Sequence, residues 1–424
     1  MRKFYTSVAI AFSVRIAAAL AAFLLTLAIT RNLGPEQSGY YFLAFSIVAI
    51  LAAFSRIGLD NTVVRFIGAD NSQATSVLKK ALIMAGSASL TCSILLYVFA
   101  EPLALNLFHK EELTSVLKAI SLGVIGLALL TLSGSILQGL SRVVSSVLVT
   151  GVILNFSLIA ALLIFGPTTA TSFANFYALL SVATALTGFF FFLRPHLISE
   201  DSGIQFKRIL QSCMPLWLVI IMQQLVQWSG LFMAGVYLEP ESISHLASAQ
   251  RTAMLVSFVL LAVNLVVAPR FASLYKQGEM QELEKLVITS VKLITMLALP
   301  VVLVMICVPG KIMMLFGPEF VTGGPLLRIM AIGQFFNAIT GSVGVLLIMS
   351  GNERDVRNVT LMSGSFSLAF AWGLTAYFGV TGNALGTAAA MAGQNLLAVY
   401  FVRKRLGFNT LAIWRSGFSF KRKA

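Results

Sequence analysis

The chain has 424 residues, 58% of them hydrophobic and only 11% charged, and its mean hydropathy is +0.89. Soluble domains carry about 25% charged residues, so this balance excludes a water-soluble core and leaves an integral membrane protein. The net charge of +14 does not indicate a nucleic-acid partner, because the basic residues stand in short connections between apolar runs rather than on one soluble face.

The first apolar run, AFSVRIAAALAAFLLTLAIT (11–30), can cross a bilayer yet contains Arg15. The basic start before it and Ala17-Ala18-Ala19 within it imitate a secretory signal. The run is longer than the ~7–15 residues of a signal core, so a retained first helix is expected. A span needs ~20 mostly apolar residues. Windows that qualify are 8–30, 40–58, 81–100, 115–137, 144–166 and 171–193, then 213–237, 244–268, 286–308, 326–350, 359–379 and 383–402. The expectation is an all-α membrane protein of about twelve transmembrane helices. Alternating strand patterns are absent, which argues against a barrel. Cys92, Cys213 and Cys307 are far apart within apolar stretches and suggest neither a disulfide framework nor a metal site.

Charge gives the orientation. With a cytoplasmic N-terminus, 23 of the 30 Lys and Arg residues fall on the inner side and five on the outer, leaving Arg15 and Arg251 within the membrane. Both termini are then cytoplasmic. Lys79, Lys80 and the tail KRKA serve this topology.

The polar stretch 194–212 divides the windows six and six, giving an N-terminal bundle over 1–200 and a C-terminal bundle with a basic tail over 201–424. A weak internal repeat links them: LGPEQSGYY (33–41) lies over LEPESISHL (238–246), and the same offset sets Arg65-Phe66 on Arg270-Phe271. Six spans per half make the bundles parallel, an arrangement suited to rocking-bundle alternating access.

LGPEQSGYYFLAFSIVAI and GLDNTVVRFIG resemble the opening helices of the polysaccharide-lipid flippases. These belong to the multidrug/oligosaccharidyl-lipid/polysaccharide exporter superfamily. APRFASLYKQGEMQEL (268–283), LFGPEF (315–320), LLIMSGNERDVRN (346–358) and GVTGNALGTAAA (379–390) are similar to its later segments. The resemblance implies two six-helix bundles around a central cavity. Its implied substrate is an undecaprenyl-pyrophosphate-linked oligosaccharide, moved from the inner to the outer leaflet of the bacterial cytoplasmic membrane during surface polysaccharide synthesis. The implied partners are that lipid, the bilayer, and polymerase or chain-length machinery. Many relatives carry an acid in the seventh helix where this chain reads QQLVQWSGLF (223–232). No cofactor is expected, and the identity of any coupling ion stays open.

A lone charge at the membrane centre costs ~2.5–3.5 kcal/mol on insertion scales, so Arg15 and Arg251 need a reason. Snorkelling serves Arg15 as well as a cavity position does. Arg251, in the polar pair QR (250–251), fits a cavity better. Guanidinium groups pair bidentately with phosphate oxygens, so two at different depths suit an anionic head group in transit. Arg56 and Asp60 are spaced to pair on one helix face. Arg65 and Arg270, related by the repeat, suit either a pyrophosphate or anionic lipid at the membrane surface. Gln223 and Gln227 share a helix face, as do Gln334 and Asn337. These amides, with Trp228 as a stacking surface, can serve sugar hydroxyls or tie helices together.

Nothing suggests catalysis, and His109, His196 and His245 lack metal-ligand spacing. Two other readings stand beside the flippase. A cation-coupled drug exporter of the same fold would need an intramembrane carboxylate. A non-transporting scaffold of a glycan assembly complex would be expected to carry a large extramembrane platform, and this sequence has none.

Overall fold

The computed structural model describes residues 2–70, 73–193 and 205–411. The bundle boundary at 200/201, much of the polar stretch 194–212 and the KRKA tail lie outside the described residues. Within them every regular element is helical: α1 (Arg2–Ser55), α2 (Leu59–Ala69), α3 (Ala74–Val98), α4 (Leu113–Ile120), α5 (Gly123–Gly139), α6 (Val143–Phe165) and α7 (Ala170–Thr187) in the N-terminal half. The other half holds α8 (Phe206–Tyr237), α9 (Pro240–Ala253), α10 (Ser257–Gln277), α11 (Met280–Cys307), α12 (Gly324–Thr340), α13 (Val343–Met349) and α14 (Glu353–Leu406).

Nine described helices are long and apolar enough to cross a membrane, or ten when α4 and α5, bent by 42°, count as one span. Two of these are too long to be single crossings. The apolar part of α1 has 43 residues and α14 has 54. At 1.5 Å per residue each is at least twice the ~30 Å hydrocarbon thickness. Both reverse at a glycine. Gly34 takes φ 73°, ψ 175° and Gly379 takes φ 60°, ψ −141°, backbone regions that disfavour a Cβ. Thr26 and Phe42 flank Gly34 and would be ~24 Å apart on an unbroken helix. Instead, both lie against the guanidinium of Arg251, so the chain doubles back. After Gly379, Asn383 Nδ2 donates to Thr375 Oγ1 at 2.9 Å, which likewise requires antiparallel limbs. Divided at these reversals, α1 and α14 each supply two limbs of crossing length.

Hydropathy places a connection at 31–39, but the helix interrupts itself only at Gly34. Pro35 then begins the second limb, where its fixed φ fits a first helical turn and its missing N–H costs nothing. Similarly, α8 begins at Phe206, ahead of the apolar window at 213.

The halves meet along a seam. On the Gly34 side the first turns of the two repeat-related segments touch. Ser38 and Ser244 share a hydrogen bond of 2.6 Å, and a Cβ on Gly39 would come within 1.8 Å of the Pro240 carbonyl oxygen. Arg31 Nε donates to the Leu315 carbonyl at 2.7 Å, and Lys110 Nζ donates to the Gly235 carbonyl at 3.0 Å. Toward the Arg65 side, Trp217 Nε1 donates to the Phe54 carbonyl at 2.9 Å and Arg65 bonds Ser212. The outer faces carry large apolar side chains such as Leu163, Phe191, Met296 and Phe378, as a lipid-facing surface requires.

Candidate functional site: a cationic seam beside an amide pocket

Arg251 stands near the end of α9 and reaches across the seam. Its Nη1 donates to Thr26 Oγ1 at 2.9 Å, while Thr26 itself donates to the Ala22 carbonyl. The guanidinium carbon lies 5.0 Å from the centroid of Phe42 and 5.6 Å from that of Phe45. Trp228 of α8 meets Phe45 edge-on at 5.4 Å. A desolvated cation–π contact is worth ~2 kcal/mol and a hydrogen bond to a charged group ~1.5–3 kcal/mol. Together these offset a membrane-insertion cost of ~2.5–3.5 kcal/mol, so the guanidinium is held without a carboxylate. Among the described residues none pairs with it, and Thr26 accepts from only one of its five N–H donors.

Arg15 is half-buried on the first limb of α1, eleven residues before Thr26. At 1.5 Å per residue that is ~16 Å along the helix, and no hydrogen bond joins Arg15 to another described residue. The two cations therefore address one helix at points ~16 Å apart.

Arg56 is 6% exposed, and its Nε donates to both carboxylate oxygens of Asp60, at 3.0 and 2.9 Å. The pair spans the turn between α1 and α2 and neutralises itself. Arg65 is exposed and bound to Ser212. Arg270 is exposed and lines a crevice with Glu279, Glu282 and Lys285. It lies nineteen residues beyond Arg251, on the order of 28 Å at helical rise, and so does not join Arg251.

The amides divide differently from their helix faces. Gln227, Gln334 and Asn337 meet in one cavity of about 250 Å³ between α8, α9, α10, α12 and α14. Gln250, Ser257, Thr387, Gln394 and Asn395 complete its polar lining, with Met254 and Met391 supplying apolar surface. Gln223 is exposed and does not line it. Trp228 turns away toward the seam, its Nε1 donating to Gln224 Oε1 at 3.0 Å. Sequence reasoning missed Thr26, whose hydroxyl is ordinary in a span because it can bond its own helix, and Phe42 and Phe45, which carry no polar signal. It also missed Gln394 and Asn395, although QN inside an apolar run is the same signal as QR at 250–251.

At the Gly34 side Lys110 supplies a further cation, tied to the Phe108 and Gly235 carbonyls. Burial pushes its pKa down, opposed by the nearby Glu239 carboxylate.

The described residues form a multi-pass helical membrane protein of two halves meeting at a seam, the architecture expected of the multidrug/oligosaccharidyl-lipid/polysaccharide exporter superfamily. An inward-facing multidrug resistance MATE family transporter superposes with a TM-score of 0.77 at 18% identity, covering 93% of this chain and 98% of its own. The lipid II flippase MurJ in an inward closed conformation gives 0.71 at 16% identity, with 92% and 87% covered. An outward-facing MATE family transporter gives 0.64 at 18% identity, with 94% and 95% covered. No curated protein sequence matches significantly. The polysaccharide biosynthesis protein family profile matches residues 4–275, and the MatE profile matches 215–373. The chain belongs to the polysaccharide biosynthesis protein family, a flippase family of that superfamily.

Proposed function

We propose that this protein flips an undecaprenyl-pyrophosphate-linked oligosaccharide from the inner to the outer leaflet of the bacterial cytoplasmic membrane. The observation that carries the reading is Arg251: a permanent cation at the seam, held by a hydroxyl and two rings, with no carboxylate partner among the described residues. Such a group repels cations and offers its spare donors to phosphate oxygens. Arg15, ~16 Å away along α1, is the loading-side counterpart. With the Arg65 side cytoplasmic, the head group enters from within once the Trp217–Phe54 and Arg65–Ser212 contacts part. The bundles then rock to release it, while the lipid tail stays in hydrocarbon.

A cation-coupled drug exporter is the second reading, favoured by the MatE match and the MATE transporter likeness. It calls for a free intramembrane carboxylate, and Asp60 is already engaged by Arg56. Deleting the gene and locating lipid-linked oligosaccharide separates the two. Accumulation on the inner leaflet supports the flippase; normal glycan export with raised drug sensitivity supports the exporter and removes our reading.

A further inference from the structure

The cavity beside the seam is built from unusual material. Six amides line it (Gln227, Gln250, Gln334, Asn337, Gln394 and Asn395), with the hydroxyls of Ser257 and Thr387, and its lining includes no ionisable group. We infer that this cavity receives a neutral sugar ring of the transported molecule, the ring nearest the phosphate, while Arg251 holds the anion. This rests on the flippase reading and adds to it a second contact of different chemistry.

Three observations carry the inference. First, an uncharged lining cannot compensate an ion brought out of water, so a pyrophosphate or an organic cation would meet a desolvation penalty there without a counter-charge. Amides and hydroxyls instead both donate and accept, as sugar hydroxyls do.

Second, the lining keeps capacity in reserve. Ser257 donates to Gln334 Oε1 at 2.8 Å and Gln250 Nε2 to the Gln227 carbonyl at 3.2 Å, which are interhelical ties. The remainder is loosely engaged. Gln227 Nε2 has only the Met254 sulfur at 3.6 Å, and Asn337 reaches Gln334 at 3.4 Å. Asn395 Nδ2 bonds the Met391 carbonyl of its own helix at 2.9 Å. The side chains of Gln394 and Thr387 make no hydrogen bond with another described residue. Amides whose only task was to join helices would be expected to engage one another more fully.

Third, the position is apt. Gln250 lines the cavity and Arg251 the seam from one turn of α9, so a ligand whose phosphate meets Arg251 has the cavity on the neighbouring face of the same turn for the sugar attached to it. At about 250 Å³ the space exceeds what an ion needs and falls short of an oligosaccharide. Met254 and Met391 offer adaptable apolar surface to the carbon face of a ring.

The test is saturation-transfer NMR on the full chain in lipid nanodiscs, probed with glucose, N-acetylglucosamine and tetraethylammonium. Saturation transfer to the sugars is expected above that of empty nanodiscs. It should fall at least threefold in Gln394→Leu, which has no internal hydrogen bond to lose, and in Asn337→Leu. Glu101→Gln, exposed on the short helical turn after α3, should leave it unchanged. Equal signal in empty nanodiscs, indifference to both pocket variants, or a pocket-dependent signal from tetraethylammonium alone would overturn the inference. The two readings fail separately. Glycan export that depends on Arg251 without sugar binding removes only the sugar pocket. Sugar binding in a protein whose deletion leaves glycan export intact removes only the flippase.

Discussion

Gln250 and Arg251 are neighbours in sequence that address different halves of the molecule. The amide donates to the Gln227 carbonyl within its own half, and the guanidinium donates to Thr26 across the seam. Successive helical residues point about 100° apart, so one turn of α9 serves both the pocket and the interface.

That division makes Arg251 the most informative position to change. Arg251→Ala should lower glycan export about ten- to a hundredfold, the range expected when a charge-assisted contact of ~1.5–3 kcal/mol is lost. Protein abundance should stay near wild type, since the rings and Thr26 repay little more than the cost of placing the charge. Arg251→Lys should retain more export than Arg251→Gln, because charge without the planar fork still attracts phosphate. Export assayed in a deletion strain, normalised to membrane abundance, checks this. Full export in all three variants would remove the anion site.

The seam also predicts a reversible lock. Ser38 and Ser244 approach to 2.6 Å between hydroxyl oxygens, on segments that must part if the halves rock. With Cys92, Cys213 and Cys307 replaced by alanine or serine, Ser38→Cys with Ser244→Cys should form a disulfide under mild oxidant and stop export. Reduction should restore it. Export that continues with the cross-link complete would mean that the Gly34 side need not open.

The membrane class and the spans were legible because they depend on composition and on runs of ~20 apolar residues, which tolerate errors at the ends. The reversal between the windows 8–30 and 40–58 was expected, but its form, a break at Gly34 alone, was hidden. LGPE reads as a loop, whereas one glycine suffices when its φ can turn positive and a proline starts the next limb. The candidate site was legible only by residue type. Arg251, Gln334 and Asn337 stood out as polar groups in apolar runs. Periodicity put Gln223 with Gln227 on one face, but a shared face does not fix the angle at which a helix meets its neighbours. Gln227 consequently lines the cavity and Gln223 is exposed. Phe42 and Phe45 carried no signal, because an aromatic residue in a span ordinarily faces lipid or core.

Lys110 gives a pH signature. Burial lowers its pKa, so the folded protein releases that proton before the unfolded chain does. Between the lowered folded value and the unfolded value near ~10.4, the unfolded state binds more protons, and stability rises with pH. Thermal unfolding in detergent should therefore show wild type gaining on Lys110→Met as pH climbs through the window below ~10.4. The amine still donates to Gly235 after deprotonation, so the tie between the halves survives. A difference between the two proteins that is flat with pH, or that shrinks as pH rises, would contradict the assignment.

Asp60 separates a structural carboxylate from a coupling one. Its side chain takes both short contacts from Arg56 Nε, and Arg56 is almost wholly enclosed. Removing one member strands the other, which for a buried pair costs about 3–5 kcal/mol. Replacing both removes that penalty. Arg56→Ala and Asp60→Ala should each lower thermal stability and abundance sharply, whereas Arg56→Met with Asp60→Leu should recover most of both. Export per folded molecule in the double variant should keep its wild-type response to proton and sodium gradients, because a self-neutralised pair carries no ion across. If the double variant is stable but has lost a gradient response that wild type shows, Asp60 is part of ion coupling. The cation-exchanging reading would then gain the intramembrane acid it needs.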